Sequence, residues 1–493
     1  MFQKILIANR GEIAVRLIHA CHDLGVEGVA VYSEADAHAP FVRMADDAAL
    51  IGPPPPAESY LKAEAIIQAA LDMGAEAIHP GYGFLAENAA FAQAVQDAGL
   101  TFIGPPPAAI AAMGDKAEAR RRMEAAGVPI TPGYQGKDDD RALADAARRI
   151  GFPVLVKAAA GGGGKGMRVV WREEELAEAM AAARREARHA FGDDRLIVEK
   201  FVPRAHHVEF QILADVHGHA VHLFERECSV QRRYQKIIEE TPSPLLDSDL
   251  RARMGAAAVA AAQAVGYVNA GTVEFIVDPE TRAFYFLEMN TRLQVEHPIT
   301  EMVTGLDLAQ WQIRIAAGEP FPYPQHALAQ QGHALECRVY AEDPASGFLP
   351  STGDLLLTRF PQGPGIRVDA GVIAGGAITH HYDPLIAKII VHAEDRNAAI
   401  RRMIYALQQT AIHGVTTNID FLLAVLQHPD FRAGRADTKW VDREMAGWQP
   451  EMTPDDLTLA ALALSDVLVS AAPAQAPSQP AGPDPYSPWQ SPH

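Results

Sequence analysis

Between Phe284 and Pro298 the chain reads Phe-Tyr-Phe-Leu-Glu-Met-Asn-Thr-Arg-Leu-Gln-Val-Glu-His-Pro, which gathers two acids, an amide, a guanidinium and a histidine around one strand end. A strand turns successive side chains to opposite faces, so Glu288 and Asn290 point the same way, joined by Arg292 if the chain stays extended. Upstream, Gly271-Thr-Val-Glu-Phe-Ile-Val-Asp278 reads as a second strand, with Pro279–Ala283 as the turn. A hairpin centred near Thr281 sets Glu274 across from Glu288, because the two are equidistant from that centre. Two carboxylates and an amide oxygen then form a cluster of hard ligands, suited to Mg²⁺ or Mn²⁺ carrying a nucleotide phosphate. A solvated polar hairpin face is the alternative. Val273, Phe275, Phe286 and Leu287 read as buried, which favours the ligand cluster.

Three further stretches carry chemistry. Gly161-Gly-Gly-Gly-Lys-Gly-Met-Arg168 sits between strand-like runs at Val154–Lys157 and Met167–Trp171. Glycine lets backbone N–H groups approach phosphate oxygens and lets such a loop flex as a lid. It is not a P-loop, because Gly166 follows the lysine where Ser or Thr is required. A plain flexible hairpin is the alternative; Lys116 and Lys157, as candidate phosphate partners, tilt the reading toward a nucleotide. Glu225-Arg-Glu-Cys-Ser-Val-Gln-Arg-Arg-Tyr-Gln-Lys236, just after a strand, is dense in cationic and amide side chains able to hold an oxyanion by charge-assisted hydrogen bonds; a plain charged loop is the alternative. His206-His207 precedes the alternating strand Val208–Leu213, so one of the pair is expected to face the interior, as core or as ligand contact. His217, His219 and His222 invite a zinc reading that the turn-like Asp215–His219 opposes.

These residues need a scaffold. At 493 residues the chain exceeds one hydrophobic core, and two to four domains are expected. Strand–helix alternation over 1–113 resembles an open α/β layer. It begins with Ile5–Ala8 and a helix striped by Ile13, Leu17, Ala20 and Leu24, followed by Val26–Val31, Ala75–His79 and Leu100–Ile103. The turn-rich His79–Asn88 follows a strand, a common place for ligand-facing residues. A helix at Asp115–Ala126 leads into strands at Leu196–Phe224 and Gly271–Glu288. From Gly332 strands dominate (Ala334–Tyr340, Gly353–Arg359, Ile386–Ala393), with a helix near Ala398–Leu407. Asp455–Ser470 reads as an Ala/Leu helix, and Ala471–His493 as an Ala/Pro/Ser-rich flexible linker.

A formal charge of −19 argues against nucleic acid and anionic membranes as general partners. Cys21, Cys228 and Cys337 form no CxxC pair. The start, Met1–Ala8, runs directly into a strand and leaves no room for a targeting peptide; no apolar run has the length to span a bilayer. A cytoplasmic location is expected.

At this point the chain resembles biotin carboxylase, the ATP-grasp component of biotin-dependent carboxylases, over roughly residues 2–446. The resemblance is carried by Ile7-Ala-Asn-Arg-Gly-Glu-Ile-Ala14, His79-Pro-Gly-Tyr-Gly-Phe-Leu85, the Gly161–Arg168 loop, Glu225–Lys236, Glu288–Pro298 and Glu336-Cys-Arg-Val339. It implies an α/β and α+β fold: an N-terminal α/β domain (1–113), an ATP-grasp domain (114–332) with a glycine-rich lid (about 131–203), a mixed C-terminal domain (333–446) and a helix plus tail (447–493). It implies ATP contacts at Lys116, Lys157, Gly163, Gly164, Glu199, Val202, His207, Gln231, Tyr234 and Ile276. Metal, in two ions, falls to Glu274, Glu288 and Asn290. Bicarbonate and biotin fall to Lys236, Arg292, Gln294, Val295, Glu296, Arg338 and Tyr82, with Lys236, Arg292, Glu296 and Arg338 catalytic.

The reaction so implied is ATP- and bicarbonate-dependent carboxylation of biotin N1′ through carboxyphosphate, with Glu296 as base and Arg338 at the ureido oxygen. The sequence departs from the family pattern at Tyr234, where many members carry histidine. The Ala158-Ala-Ala160 run before the glycines resembles acyl-CoA carboxylase α subunits. No Met-Lys dipeptide occurs, so the resemblance implies that biotin arrives on another polypeptide or that the chain is a truncated form. A biotin carrier protein, a carboxyltransferase subunit and a second copy of the chain are the implied partners. Arg16 and Asp383 fall where the family places a charged pair near its dimer interface. The competing readings are another ATP-grasp ligase and a non-catalytic nucleotide-binding scaffold.

Overall fold

The computed structural model describes residues 1–134, 139–159 and 167–450, together with Ala461, Leu464 and Ser465. Residues 1–448 form one compact unit and 449–493 a second. Of the helix expected over 455–470, only those three isolated positions are described, and they are helical. The expected linker and the glycine run at 160–166, including Gly163 and Gly164, lie outside the described residues.

The first layer is a five-stranded parallel sheet built from β1 (Lys4–Ile7), β2 (Glu27–Ser33), β3 (Asp47–Gly52), β4 (Ala77–His79) and β5 (Thr101–Phe102), in the order β3-β2-β1-β4-β5. Ile5, Leu6 and Ile7 are all fully buried, as expected for a strand covered by helices on both faces. Strand order reverses between β1 and β4, and the loops leaving those two strands meet there, the usual crevice of such sheets. Asn9 locks them together: its Nδ2 donates to the carbonyls of Pro80 and Tyr82, both at 2.7 Å. Gly81 sits at φ +63°, and a Cβ there would stand 3.0 Å from Asn9 Nδ2, so a larger residue would push the loops apart.

A small antiparallel sheet follows: β6 (Gly133–Tyr134), β7 (Val154–Ala158), β8 (Arg168–Val170) and β9 (Leu196–Lys200), in the order β6-β9-β7-β8. Helices Asp140–Ile150 and Leu176–Phe191 close its core over Val154, Val156, Val170 and Val198. The strands flanking the glycine run pair antiparallel, Val156 opposite Arg168.

The largest element is an eight-stranded sheet. It contains β10 (His206–Ala214), β11 (Ala220–Arg232), β12 (Gln235–Thr241), β13 (Asn269–Val277), β14 (Phe284–Asn290) and β15 (His333–Tyr340), ending in the strands Leu385–Ala393 and Ile366–Ala370. Its order, β14-β13-β10-β11-β12-β15 and then those two, runs without a break across residue 332. One face of the β15 end is apolar, with Leu335, Cys337, Val339, Ile389 and Val391 packed in one core with the helix Arg396–Gln408. The other face carries Glu336, Arg338 and Lys388, with Ile390 packed against the helix His297–Thr304. The expected single strand at 353–359 is two short ones, Gly353–Asp354 and Leu357–Arg359.

Several expectations need correction. The segment Glu225–Lys236 is not a loop: Glu225–Arg232 lies within β11 and Gln235–Lys236 opens β12, leaving only Arg233-Tyr234 as the turn, both at positive φ. A strand rich in charge reads as a loop when its acidic partners lie on other strands. Both His206 and His207 are buried, one on each face, because both faces of β10 are covered and each imidazole meets a carboxylate. Within its own chain Arg16 is buried in ion pairs with Glu301 (2.9 Å) and Asp307 (2.6 Å), so it is no solvated surface charge.

Candidate active site

The hairpin β13–β14 pairs Glu274 with Glu288, the register that its symmetry predicts. A bulge interrupts the ladder between Glu274 and Phe275, so Phe275 pairs with Phe286 and Leu287 is the extra residue. Leu287 is consequently exposed, contrary to its expected burial, whereas Val273, Phe275 and Phe286 are buried. The bulge shifts the side-chain alternation by one residue and lets Glu288 share a face with Glu274.

Around Glu274 the site is dense with charge. Lys236 Nζ donates to Glu209 (2.6 Å), Glu274 (2.9 Å) and Glu296 (2.7 Å). His207 Nε2 lies 2.9 Å from the other Glu274 oxygen. Asn290 Nδ2 donates to Glu274 Oε1 at 2.8 Å. Burial opposes a charged Lys236, but the three carboxylates override it and hold its pKa well above the ordinary lysine range. Burial likewise disfavours the Glu296 carboxylate, yet Lys236, Arg338 and Arg226 hold its pKa well below the ordinary range. Glu288 differs. Burial and the neighbouring Glu274 raise its pKa, and among the described residues its carboxylate has no hydrogen bond or ion pair.

Arg338 lies 3.0 Å from Glu296 and donates from Nε to Glu239 at 2.7 Å. The chain bends at Arg292, just beyond β14, so the extended continuation considered above does not form. Arg292 Nε instead donates to Glu87 at 3.0 Å, and its other nitrogens reach Gln294 Oε1 (3.3 Å) and Asn290 Oδ1 (3.4 Å). Gln294 is buried, and its Nε2 has no partner among the described residues. The Val295 carbonyl accepts from Lys388 at 2.9 Å. Tyr82, on the loop after β4, donates its hydroxyl to Glu12.

A cleft of about 270 Å³ opens beside Glu288 and Asn290, lined also by Lys116, Lys157, Glu199 and Glu87. Asp115 caps the helix Lys116–Ala125, accepting from the amides of Ala117 and Glu118, and so sets Lys116 at the cleft. Lys157 reaches Glu199 at 2.6 Å, and Glu199 also accepts from Arg120 at 2.8 Å. Gln231 is buried and pairs with Lys236 across the β11–β12 hairpin, while Ile276, half-buried, pairs with His207. Val202 is half-buried just past β9. Tyr234 stands apart at the hairpin tip, 51% exposed, with Lys439 Nζ 4.9 Å from its ring centre.

The donors suit a hard divalent cation. Among the described residues two groups of metal-ligating side chains converge, His207/Glu209/Glu274 and Glu209/Cys228/Glu296, but Lys236 already neutralises the carboxylates of both. Glu288, unpaired and lining the cleft beside Glu274 and Asn290, is the better oxygen ligand. Asn290 turns its nitrogen to Glu274, so coordination by its oxygen requires the amide to flip, a rotation of low barrier.

Sequence reasoning missed Glu209, Glu239, Glu87, Glu12 and Lys388. For Glu209 the signal was present: His207, Glu209 and Gln211 alternate with Val208, Phe210 and Ile212, a strand polar on one face and apolar on the other.

Family models match along the chain in order: the biotin carboxylase N-terminal domain over residues 1–110, the carbamoyl-phosphate synthase L chain ATP binding domain over 115–323 and the biotin carboxylase C-terminal domain over 336–443. A biotin carboxylase from Halalkalibacterium halodurans is 52% identical over 451 residues, 90% of this chain and 98% of that protein. The mitochondrial methylcrotonoyl-CoA carboxylase α subunit of Rattus norvegicus is also 52% identical, over 93% of this chain, which spans only 64% of that subunit's length. The biotin carboxylase domain dimer of Hydrogenobacter thermophilus 2-oxoglutarate carboxylase, solved with MgADP, ADP and bicarbonate, superposes with a TM-score of 0.87 at 48% identity, covering 92% of this chain and 99% of that one. With the order of its domains, its three-part fold and a convergent acid–lysine–arginine site all in agreement, the chain belongs to the biotin carboxylase family.

Proposed function

We propose that this chain carboxylates N1′ of a biotin held on another polypeptide or domain, consuming ATP and bicarbonate, as the first half-reaction of an acyl-CoA carboxylase. The observation that carries this reading is the Lys236 ammonium, which touches Glu209, Glu274 and Glu296 at once. It ties the carboxylates suited to metal to the Glu296–Arg338 pair, so phosphate chemistry and carboxyl transfer would meet at one ammonium.

ATP would enter the cleft with its phosphates toward Lys116, Lys157 and the glycine run, and its base toward Glu199, Val202, His207, Gln231 and Ile276. Tyr234, exposed at the hairpin tip, reaches the nucleotide only if the hairpin moves inward. Glu274, Glu288 and Asn290 would hold Mg²⁺ or Mn²⁺, in two ions; when bound, these would neutralise charge on the transferred phosphoryl group. Glu296 takes the bicarbonate proton, while Lys236, Arg292 and Gln294 orient the resulting oxyanion. That oxygen attacks the γ-phosphorus, the bond to ADP breaks, and carboxyphosphate forms. Carboxyphosphate splits to CO₂ and phosphate. The phosphate accepts the N1′ proton, Arg338 stabilises the charge on the ureido oxygen, and N1′ adds to CO₂. Exclusion of water matters because carboxyphosphate hydrolyses readily.

The carboxyl group then passes to an acetyl-, propionyl- or methylcrotonyl-type acyl-CoA on a separate carboxyltransferase subunit, a role that likeness to the methylcrotonoyl-CoA carboxylase α subunit supports. A biotin carrier protein and a second copy of this chain complete the set of partners; nucleic acid and membrane are not among them. Among the described residues no helix is long and apolar enough to cross a membrane. A cytoplasmic, reducing compartment suits the three free, buried cysteines.

The test is bicarbonate-dependent ADP release with Mg²⁺, with and without free biotin, in wild type and Arg338→Ala. Biotin-stimulated release that the variant lacks supports the assignment. ATP binding without bicarbonate-dependent turnover would return the scaffold reading.

A further inference from the structure

Lys388 lies midway along the strand Leu385–Ala393, in the run Leu-Ile-Ala-Lys-Ile-Ile-Val, with no solvent exposure. Lysine is almost never fully buried unless paired. Its Nζ donates to the Val295 carbonyl at 2.9 Å and lies 3.1 Å from Glu12 Oε2 and 3.5 Å from Asp369 Oδ2. Asp369 is already held by Arg367 through two hydrogen bonds of 2.7 and 2.8 Å, which leaves Lys388 as the cation of Glu12. The other Glu12 oxygen accepts from the Tyr82 hydroxyl. Backbone contact around this contact set is close: a Cβ at Gly371 would stand 2.4 Å from the Glu12 amide nitrogen.

One carboxylate satisfies the charge of an ammonium; the bond to a neutral carbonyl adds geometry. The Val295–Glu296 peptide is planar and trans, so holding the Val295 carbonyl on Lys388 aims the Glu296 N–H the opposite way. His297 closes the same turn, its Nδ1 2.7 Å from the Gln294 carbonyl. Tyr82 and Val295 stand at the two ends of this chain of contacts, and Lys388 meets the bicarbonate-binding turn through the Val295 carbonyl. Resting on the assignment of 292–296 to bicarbonate, we infer that Lys388 is a positioning residue. It pins the bicarbonate-binding turn to the Glu12–Tyr82 pair, so that residues from all three domains set one substrate's geometry.

The test compares the full-length wild type, Lys388→Met and Lys388→Met/Glu12→Gln. The double variant keeps an acceptor for Tyr82 and leaves no lone carboxylate at position 12, so it serves even where the single variant does not fold. The expected result is a bicarbonate KM raised about ten- to hundredfold in the double variant. The ATP KM should stay within about twofold, since no uniform nucleotide contact is lost. Amide hydrogen exchange at 293–298 should quicken about tenfold or more as the turn loosens. An unchanged bicarbonate KM, or unchanged exchange at that segment, overturns the inference and leaves Lys388 as a counter-charge to Glu12. If the wild type itself shows no bicarbonate-dependent turnover, the functional assignment fails, and exchange alone decides whether Lys388 holds the turn.

Discussion

Lys236 and Glu296 meet at 2.7 Å, and the carboxylate has no solvent exposure. The pairing keeps Glu296 ionised but makes it a weak base, since Lys236, with Arg338, depresses its pKa. Under the proposed assignment of Glu296 as base, proton transfer from bicarbonate would gain as Lys236 transfers part of its interaction to the incoming anion. Both groups are already in place before substrate arrives, which lowers the reorganisation needed during reaction.

Replacing Lys236 by Gln removes the nearest positive charge from Glu296, whose pKa then rises. Bicarbonate-dependent turnover should fall on the order of a hundredfold or more. The residual rate should show its acid limb in kcat/KM at a higher pH than wild type, because Glu296 now protonates earlier. A pH–rate profile that falls in height without moving its acid limb would show that Glu296 is not the group that titrates.

Glu288 separates activity from stability. Its carboxylate is unpaired among the described residues and stands opposite Glu274, so its charge is unfavourable in the absence of metal. Glu288→Gln should raise the melting temperature of the metal-free protein by roughly 2 °C. The same variant should require on the order of tenfold more Mg²⁺ for half-maximal turnover, having lost a hard anionic ligand. A metal-free variant less stable than wild type would mean that Glu288 has a structural partner.

Legibility followed locality. The Glu274–Glu288 pairing could be read as an opposition across a hairpin, although the turn alone sets Val277 against Phe284 and Phe275 against Phe286, and the bulge moves Glu274 from Leu287 to Glu288. Leu287 could not, because a bulge is set by how neighbouring strands pack and not by the local pattern. The same holds at β11. Glu225–Arg232 lacks an apolar alternation because its acids and arginines are satisfied from other strands and helices: Arg226 alone donates to Glu209, Gln211, Thr272 and Thr300. Lys388 was hidden for a related reason. A lone lysine in an apolar strand signals a buried pair, but its partners Glu12 and Val295 lie in two other domains and no spacing in the chain points to them.

The two cleft lysines should behave differently. Lys116 has no hydrogen bond or ion pair among the described residues, and burial lowers its pKa. Lys157 is bound to Glu199 at 2.6 Å. Lys116→Met should therefore raise the ATP KM about tenfold while leaving thermal stability within roughly 1 kcal/mol of wild type. Lys157→Met should raise the ATP KM and also destabilise the protein by about 3 kcal/mol, because it removes the ammonium from the buried Glu199 and leaves Arg120 and the Thr131 hydroxyl to hold that charge. Thermal melts run beside ATP titrations distinguish the two; equal melting temperatures would mean that the Lys157–Glu199 pair contributes nothing without nucleotide.

Acid should release the C-terminal strands through Glu240. Burial alone would raise its pKa, but Arg396 and His333 bring it from the ordinary 4.5 down to about 2. Arg396 donates to both carboxylate oxygens, at 2.6 and 2.9 Å, and His333 Nε2 lies 2.8 Å from one of them. A carboxylate whose folded pKa is depressed stabilises the fold above its unfolded pKa, and that stability is lost as pH falls through the interval toward the folded value. The interval here runs from about 4.5 to 2, and the stabilisation involved is roughly 3 kcal/mol. Glu240→Gln should lower the melting temperature at pH 7. The gap from wild type should hold steady above pH 5 and narrow measurably by pH 3.5, as the carboxylate of the unfolded wild-type chain takes up its proton while the folded one stays ionised. A gap that stays constant across that range would place the acid-sensitive stability in another group.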